Sequence, residues 1–187
     1  WVKINAGPTG SNTQNIANKR NGEGANYWSG FFLDISGDGK FYFYISNQNS
    51  GAGTLCISNI NWTNGQWYHL AGVWNGSTTK LYVNGQLSGS GTGNQPANGP
   101  QYDFNIGAWI YGASNMRFFN GIIDEVRISN VARTATEIAA NASLPPSVSF
   151  GGTLATNIQL SGTTILTATT SSHSAGMVNV VVTNPDT

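Results

Sequence analysis

The sequence predicts an all-β protein. Three observations carry that prediction: strict apolar–polar alternation in several segments, glycine-containing hairpin signals between them, and a single segment with helix signals. The chain has 187 residues and no net charge, and only 9% of its residues are charged, against roughly 25% in an average soluble protein. Polarity comes instead from Asn, Ser, Thr, Gln and Gly. No basic face invites nucleic acid or an anionic membrane. No apolar run approaches the roughly 18 residues of a membrane-crossing helix, and no signal peptide is visible. The chain begins at Trp1, so it reads as a processed or excised piece of a longer product.

In "KFYFYISN" (40–47), Phe41, Phe43 and Ile45 alternate with Tyr42, Tyr44 and Ser46. The run follows "YWSGFFLDIS" across "GDG" (37–39), a hairpin signal that makes Asp34 and Asp38 turn formers first and calcium ligands second. Cys56, the one cysteine, sits in the alternating run "GTLCISN" and reads as a small buried hydrophobe. "QWYHLAGVW" (66–74) reads as one long strand. His69 within it is expected to be packed and hydrogen-bonded. In "KLYVNGQLSG", Asn84-Gly85 fits a type I′ turn, where both central residues need positive φ. "GSGTGNQPANGPQ" (89–101) reads as a long loop. "DFNIGAWI" (103–110) and "GIIDEVRIS" (121–129) are expected to be two further strands. "RTATEIAANA" is the helix candidate, with Thr134 and Glu137 at capping-box spacing and Pro145-Pro146 as a stop. Three N-x-S/T sequons, at Asn61, Asn75 and Asn141, are weak glycosylation signals in so Asn-rich a chain.

Asp124 and Glu125 are adjacent acids in an apolar run. As strand residues they point to opposite sides of a sheet and cannot converge on one bond, as a glycosidase carboxylate pair must. Glu125 would pair with Arg127 on the exposed side. Asp124 would share a face with Val126 and Ile128, buried or at a sheet end, accepting loop N–H bonds; a single calcium ligand is the alternative. No other acidic loop is dense enough for calcium.

"GQWYHLAGVWNGSTTKLYVNGQL" followed by "FNGIIDEVRISNVARTATEIAAN" resembles the laminin-G-like, concanavalin A-like jelly roll. Trp67, His69, Ala71, Gly72, Leu81, Tyr82, Asn84, Gly85, Asp124, Glu125, Val126, Arg127 and Glu137 follow its motifs in order. The resemblance covers residues 1–143 and implies a two-sheet β-sandwich, often used for sugar or protein binding, with the opening strands absent. The related glucanases carry E-x-D-x-x-E; no such triplet occurs here, with Glu23, Glu125 and Glu137 each isolated, so no enzyme activity is expected. Composition shifts near residues 143–147. "SVSFGGTLATN…SGTTILTATTSSHSAGMVNVVVTNPD" resembles the immunoglobulin-like IPT/TIG module, which implies a second, partial β-sandwich over 144–187.

The functional expectation is a non-catalytic extracellular or cell-surface adhesion or binding module for glycan or protein. The aromatic residues supply its candidate ligand contacts: Tyr42, Tyr44, Trp109 and Tyr111 first, with Tyr27, Trp28 and Trp62 as further candidates. The other class is a structural subunit of a filament or sheath, completed by strands from neighbouring chains. The uncharged, β-branched "GMVNVVVTNP" (176–185) would be the donor, because so short a tail makes too small a core alone.

Overall fold

The computed structural model describes residues 1–20, 30–46, 53–92, 103–111, 114–143, 147–161, 165–170, 172 and 176–183. It divides into two compact units, Trp1–Ala142 and Ser143–Thr187.

The first unit contains β1 (Val2–Ile4), β2 (Thr13–Arg20), β3 (Gly30–Ser36), β4 (Phe41–Ser46), β5 (Gly53–Ile57), β6 (Trp67–Tyr68), β7 (Leu70–Trp74), β8 (Thr78–Val83), β9 (Gln86–Thr92), β10 (Asn105–Ile106), β11 (Trp109–Tyr111), β12 (Ser114–Met116) and β13 (Gly121–Ile123). Helix α1 (Ala135–Ser143) follows. One layer is the five-stranded sheet β10-β2-β3-β4-β5. The other is made of β13-β1-β6 and β7-β8-β9, and β11-β12 is a separate hairpin. Between the layers lie Val2, Ile4, Ile16, Ile35, Phe41, Phe43, Cys56, Tyr68, Leu81 and Val83. This is the two-sheet sandwich that the laminin-G-like resemblance implies, built from the strands that the alternation predicts. Cys56 is 1% exposed, and burial pushes its thiol up to about 11, so it is an inert core residue.

Two local predictions hold in detail. Asn84 and Gly85 have φ of 49° and 79°, the left-handed pair that a type I′ turn requires. Thr134 and Glu137 form a capping box. The Glu137 carboxylate accepts from the Thr134 backbone N–H at 2.8 Å, and Glu137 N–H donates to the Thr134 hydroxyl at 3.2 Å. These bonds pull the Glu137 carboxyl down to about 2.

Three expected strands are broken. The 66–74 run stops at His69 and enters two different sheets. The Asn84 side chain captures the His69 N–H at 3.0 Å, and the His69 carbonyl accepts Asn84 N–H at 2.8 Å. His69 is therefore half-buried at a strand junction, with the Trp1 ring edge-on at 5.2 Å. The 103–110 run breaks at Gly107, where φ is 75°. Gly107 N–H goes to the Ile16 carbonyl, and its own carbonyl takes Phe119 N–H.

The 121–129 run ends at Ile123. Glu125 takes φ of 52°, which no pleated strand accommodates. Asp124 Oδ1 accepts the Glu125 N–H at 2.9 Å, a local bond that competes with the sheet ladder. Asp124 is exposed at the sheet end, Glu125 half-buried and Arg127 exposed. The opposite-face argument for the two acids therefore fails. Val126 and Ile128 are 45% and 66% exposed rather than lining a buried face.

The second unit contains β14 (Ser147–Phe150), β15 (Thr153–Leu154), β16 (Thr156–Ser161), β17 (Ile165–Thr169) and β18 (Val180–Thr183). They form the sheet β15-β14-β18 and the pair β16-β17. Val148, 4% exposed, is buried in this unit. No helix among the described residues is long and apolar enough to cross a membrane.

Candidate functional site

Alternation that sends Phe31, Leu33, Ile35, Phe41, Phe43 and Cys56 into the core sends their neighbours to the outward face of the five-stranded sheet. The registers line those neighbours into two rows. One runs Asn18, Phe32, Tyr44, Leu55; the other runs Asn15, Asp34, Tyr42, Ile57. Character changes along each row. The β2 end is polar and buried, while Leu55 and Ile57 at the β5 end are 41% and 44% exposed.

The aromatic centre is positioned by its neighbours. Tyr44 lies against Phe32, with ring centroids 5.0 Å apart and planes 19° from parallel, a stacked geometry. A Cβ at Gly53 would lie 2.0 Å from the Tyr44 ring, so glycine is what lets that ring cross the end of β5. The Tyr42 hydroxyl donates to Asp38 Oδ2 at 2.6 Å. Burial pushes the Asp38 carboxyl up, but the Tyr42 bond, the Lys40 N–H and the other hydrogen bonds it accepts together draw it below its usual range. Both tyrosines are half-buried, so each keeps an open edge.

The buried end is a polar network roofed by the β11–β12 hairpin. Asn15 Nδ2 donates to Asp34 Oδ1; Asn18 Nδ2 donates to Asn15 Oδ1 at 2.6 Å and to the Ala108 carbonyl at 2.9 Å. Asn15 N–H donates to the Arg117 carbonyl at 2.8 Å. Asn15, Asn18 and Asp34 are at most 1% exposed. The Arg20 guanidinium lies 4.5 Å from the Phe32 ring centre and 4.2 Å from that of Trp109. Arg117 lies 4.9 Å from the Trp109 ring and 3.9 Å from Asp34 Oδ2. All three ring contacts are within cation–π range. Burial raises the Asp34 carboxyl to about 6, against the opposing pull of Arg20, the Asn15 bond and Arg117. Burial lowers Arg20 to about 10, so it stays charged at neutral pH.

Tyr42, Tyr44 and Trp109 thus come together on one face. Tyr111 ends β11 opposite Ser114. Tyr27 and Trp28 lie outside the described residues. Trp62 is a structural residue: its Nε1 donates to the Ser36 carbonyl at 2.9 Å. Trp67, His69, Asn84, Gly85, Asp124, Glu125 and Arg127 belong to the other layer and its connections. Among the described residues no three metal-ligating side chains cluster, around Asp124 or elsewhere.

Asp34 was expected at a turn; it is instead the buried centre of the network. Arg20, Arg117, Asn15 and Asn18 were not singled out by sequence at all. The usable signal was phase. Carrying the β4 alternation back across the 37–39 turn pairs Asp34 with Tyr42, on the outward face.

Residues 1–139 match the family model described as the concanavalin A-like lectin/glucanases superfamily. No curated protein matches the chain. Among solved structures, a candidate carbohydrate-binding protein from Bacteroides ovatus ATCC 8483 is similar at 21% identity and a TM-score of 0.55. The likeness covers 74% of this chain and only 38% of that one. An S-layer domain-containing protein from Clostridium thermocellum ATCC 27405 shares 24% identity over 76% of this chain and 67% of its own, at a TM-score of 0.38. At these identities the first likeness is one of fold, and the second adds nothing to it.

Proposed function

Because the chain belongs to the concanavalin A-like lectin/glucanases superfamily, matched over residues 1–139, we propose that its outward sheet face is a non-catalytic glycan-binding surface of an extracellular or cell-surface protein. The observation that carries this reading is the pair of cross-strand rows. They set stacked Phe32 and Tyr44 beside Tyr42, with Trp109 at the border. The half-buried rings of Tyr42 and Tyr44 suit the apolar face of a pyranose, with buried Phe32, 5% exposed, backing Tyr44. The Bacteroides protein's naming as carbohydrate-binding supports the same ligand class.

The chemistry of the face argues against hydrolysis. Glycosidases use two carboxyl groups flanking the scissile bond. Asp34 is 1% exposed, and the groups acting on it are guanidinium and amide, not a second acid. A glycan array followed by titration calorimetry tests the proposal. Tyr44→Ala and Trp109→Ala are expected to abolish binding while leaving the fold intact. An array with no hits, or a hit indifferent to both substitutions, overturns it.

The second reading is a structural subunit that adds strands from copies of this chain. It is favoured by β18, an edge strand of its sheet, where Val180, Val181 and Val182 are 56%, 50% and 58% exposed. Sedimentation of the purified chain distinguishes the two readings. Concentration-dependent polymers favour assembly; a monomer at high concentration removes it.

A further inference from the structure

The two rows on the outward face of the five-stranded sheet reverse the usual order. Their polar side chains, Asn15, Asn18 and Asp34, are buried at the β2 end, while Leu55 and Ile57 are exposed at the β5 end. The water-facing side of an antiparallel sheet is ordinarily polar, and an open cluster of large aliphatic groups marks a place for a ligand. β5 sends three residues outward, Gly53, Leu55 and Ile57, and none has a polar side chain. The one hydroxyl of this strand, on Thr54, is turned the other way and donates to the Thr92 carbonyl.

The neighbouring tyrosines bound this patch. Tyr44 stands opposite Leu55, and Tyr42 opposite Ile57. Opposed side chains start about 5 Å apart, and alternate ones along a strand about 7 Å apart. The four therefore enclose an area close to that of one sugar ring. The patch is also uncharged, because the outward positions of β4 and β5 hold no acidic or basic residue. Asp38, at the adjoining turn, is occupied by the Tyr42 hydroxyl at 2.6 Å and the Lys40 N–H at 3.0 Å. The first of these bonds draws the polar tip of Tyr42 towards the turn and keeps its ring in the row with Ile57.

We infer that Leu55 and Ile57 form a methyl-recognising subsite beside the tyrosines, and that the glycans this face takes are neutral ones carrying a terminal 6-deoxyhexose. This inference rests on the glycan-binding reading above. The β11–β12 roof closes the β2 side of the tyrosine rows, so a pyranose lying there turns its exocyclic carbon towards β5. A methyl group in that place covers the two aliphatic side chains. A hydroxymethyl group in the same place loses its water and meets no partner on β5.

The test titrates the full chain with two matched pairs of methyl glycosides: the α-L-fucoside against the α-L-galactoside, and the α-L-rhamnoside against the α-L-mannoside. Within each pair only the hydroxyl at C6 differs. The 6-deoxy member of one pair is expected to bind at least about tenfold more tightly. Leu55→Thr and Ile57→Thr, which put a hydroxyl where the methyl group would lie, should together remove that preference. Equal binding within both pairs overturns the inference and leaves the glycan reading standing. Binding of no probe also overturns the inference; an array with no hits then overturns the wider reading too. Circular dichroism of the double variant guards against misfolding, and a folded double variant that keeps the full preference refutes the assignment to β5.

Discussion

Substituting Asp34 by Asn keeps the shape of the side chain and removes its titration. In the native protein, burial raises the Asp34 carboxyl from 3.8 to about 6. A raised pKa means that the folded state binds the proton more tightly than the unfolded one. The contribution of Asp34 to stability is therefore full below about pH 4 and is lost as pH rises through about 6. A shift of about two units at about 1.4 kcal/mol each sets the amplitude near 3 kcal/mol. Glu137, lowered from 4.5 to about 2, acts in the opposite sense: its stabilisation is lost as pH falls from about 4.5 towards 2. It is common to both proteins and cancels in their difference. Urea melts at half-unit intervals from pH 4 to 7.5, followed by tryptophan fluorescence, report the first unit, because all six Trp lie at or before position 109. The native protein is expected to lose about 2–3 kcal/mol relative to Asp34→Asn between pH 4 and 7. A difference flat to within about 0.5 kcal/mol would refute the burial argument. A change of opposite sign would mean that Arg20 and Arg117 outweigh burial and hold the carboxylate charged.

Other outcomes follow from the same structure. Gly85→Ala places a Cβ 2.9 Å from the Ala139 backbone at φ of 79°. It should cost about 1–3 kcal/mol in a urea melt, with a loss under 0.5 kcal/mol counting against the packing of α1 on this turn. Gly53→Ala should push the Tyr44 ring from its place and weaken glycan binding while changing the melting temperature by only a few degrees; unchanged binding would show that Tyr44 is not a contact. Asp124→Ala and Glu125→Ala should each cost less than about 1 kcal/mol, since Asp124 is exposed and makes a local bond. A larger loss at Asp124 would revive a structural role for it. Chelator should leave the melting temperature unchanged; a drop reversed by calcium and absent in Asp124→Asn would assign a metal to that loop.

The sandwich was legible wherever one local rule decided the outcome. Phe41, Phe43 and Ile45 alternate because one face of β4 is core. Asn84-Gly85 reads as a turn because few other residues tolerate its backbone. Thr134 and Glu137 read as a cap because the bonds span three residues. The broken strands were hidden for the opposite reason. His69, Gly107 and Glu125 stop their strands through partners distant in sequence or through a local bond that alternation does not register. The site was legible only in its aromatic half. Asn15, Asn18, Arg20 and Arg117 are spread over about a hundred positions and each looks like an ordinary surface residue by itself, while Asp34 looks like a turn former. What covers most of them is the hairpin of β11 and β12; the sequence reads the start of β11 as part of one longer strand and does not read β12 at all.

The place of β1 has a kinetic consequence. Val2–Ile4 is the central strand of its sheet, with Tyr68 facing Val2 on one side and Ile123 on the other. Val2 and Ile4 are also among the most deeply enclosed side chains of the sandwich. Half of that pairing therefore waits until residue 123 has been made and has returned across the whole sequence, a loop closure that is slow in β-proteins. Until then β1 has one side unpaired and its part of the sandwich is incomplete. Refolding on the millisecond-to-second scale is the expectation for such non-local pairing. A nascent chain stalled short of β13 would present a sticky sheet edge to its neighbours.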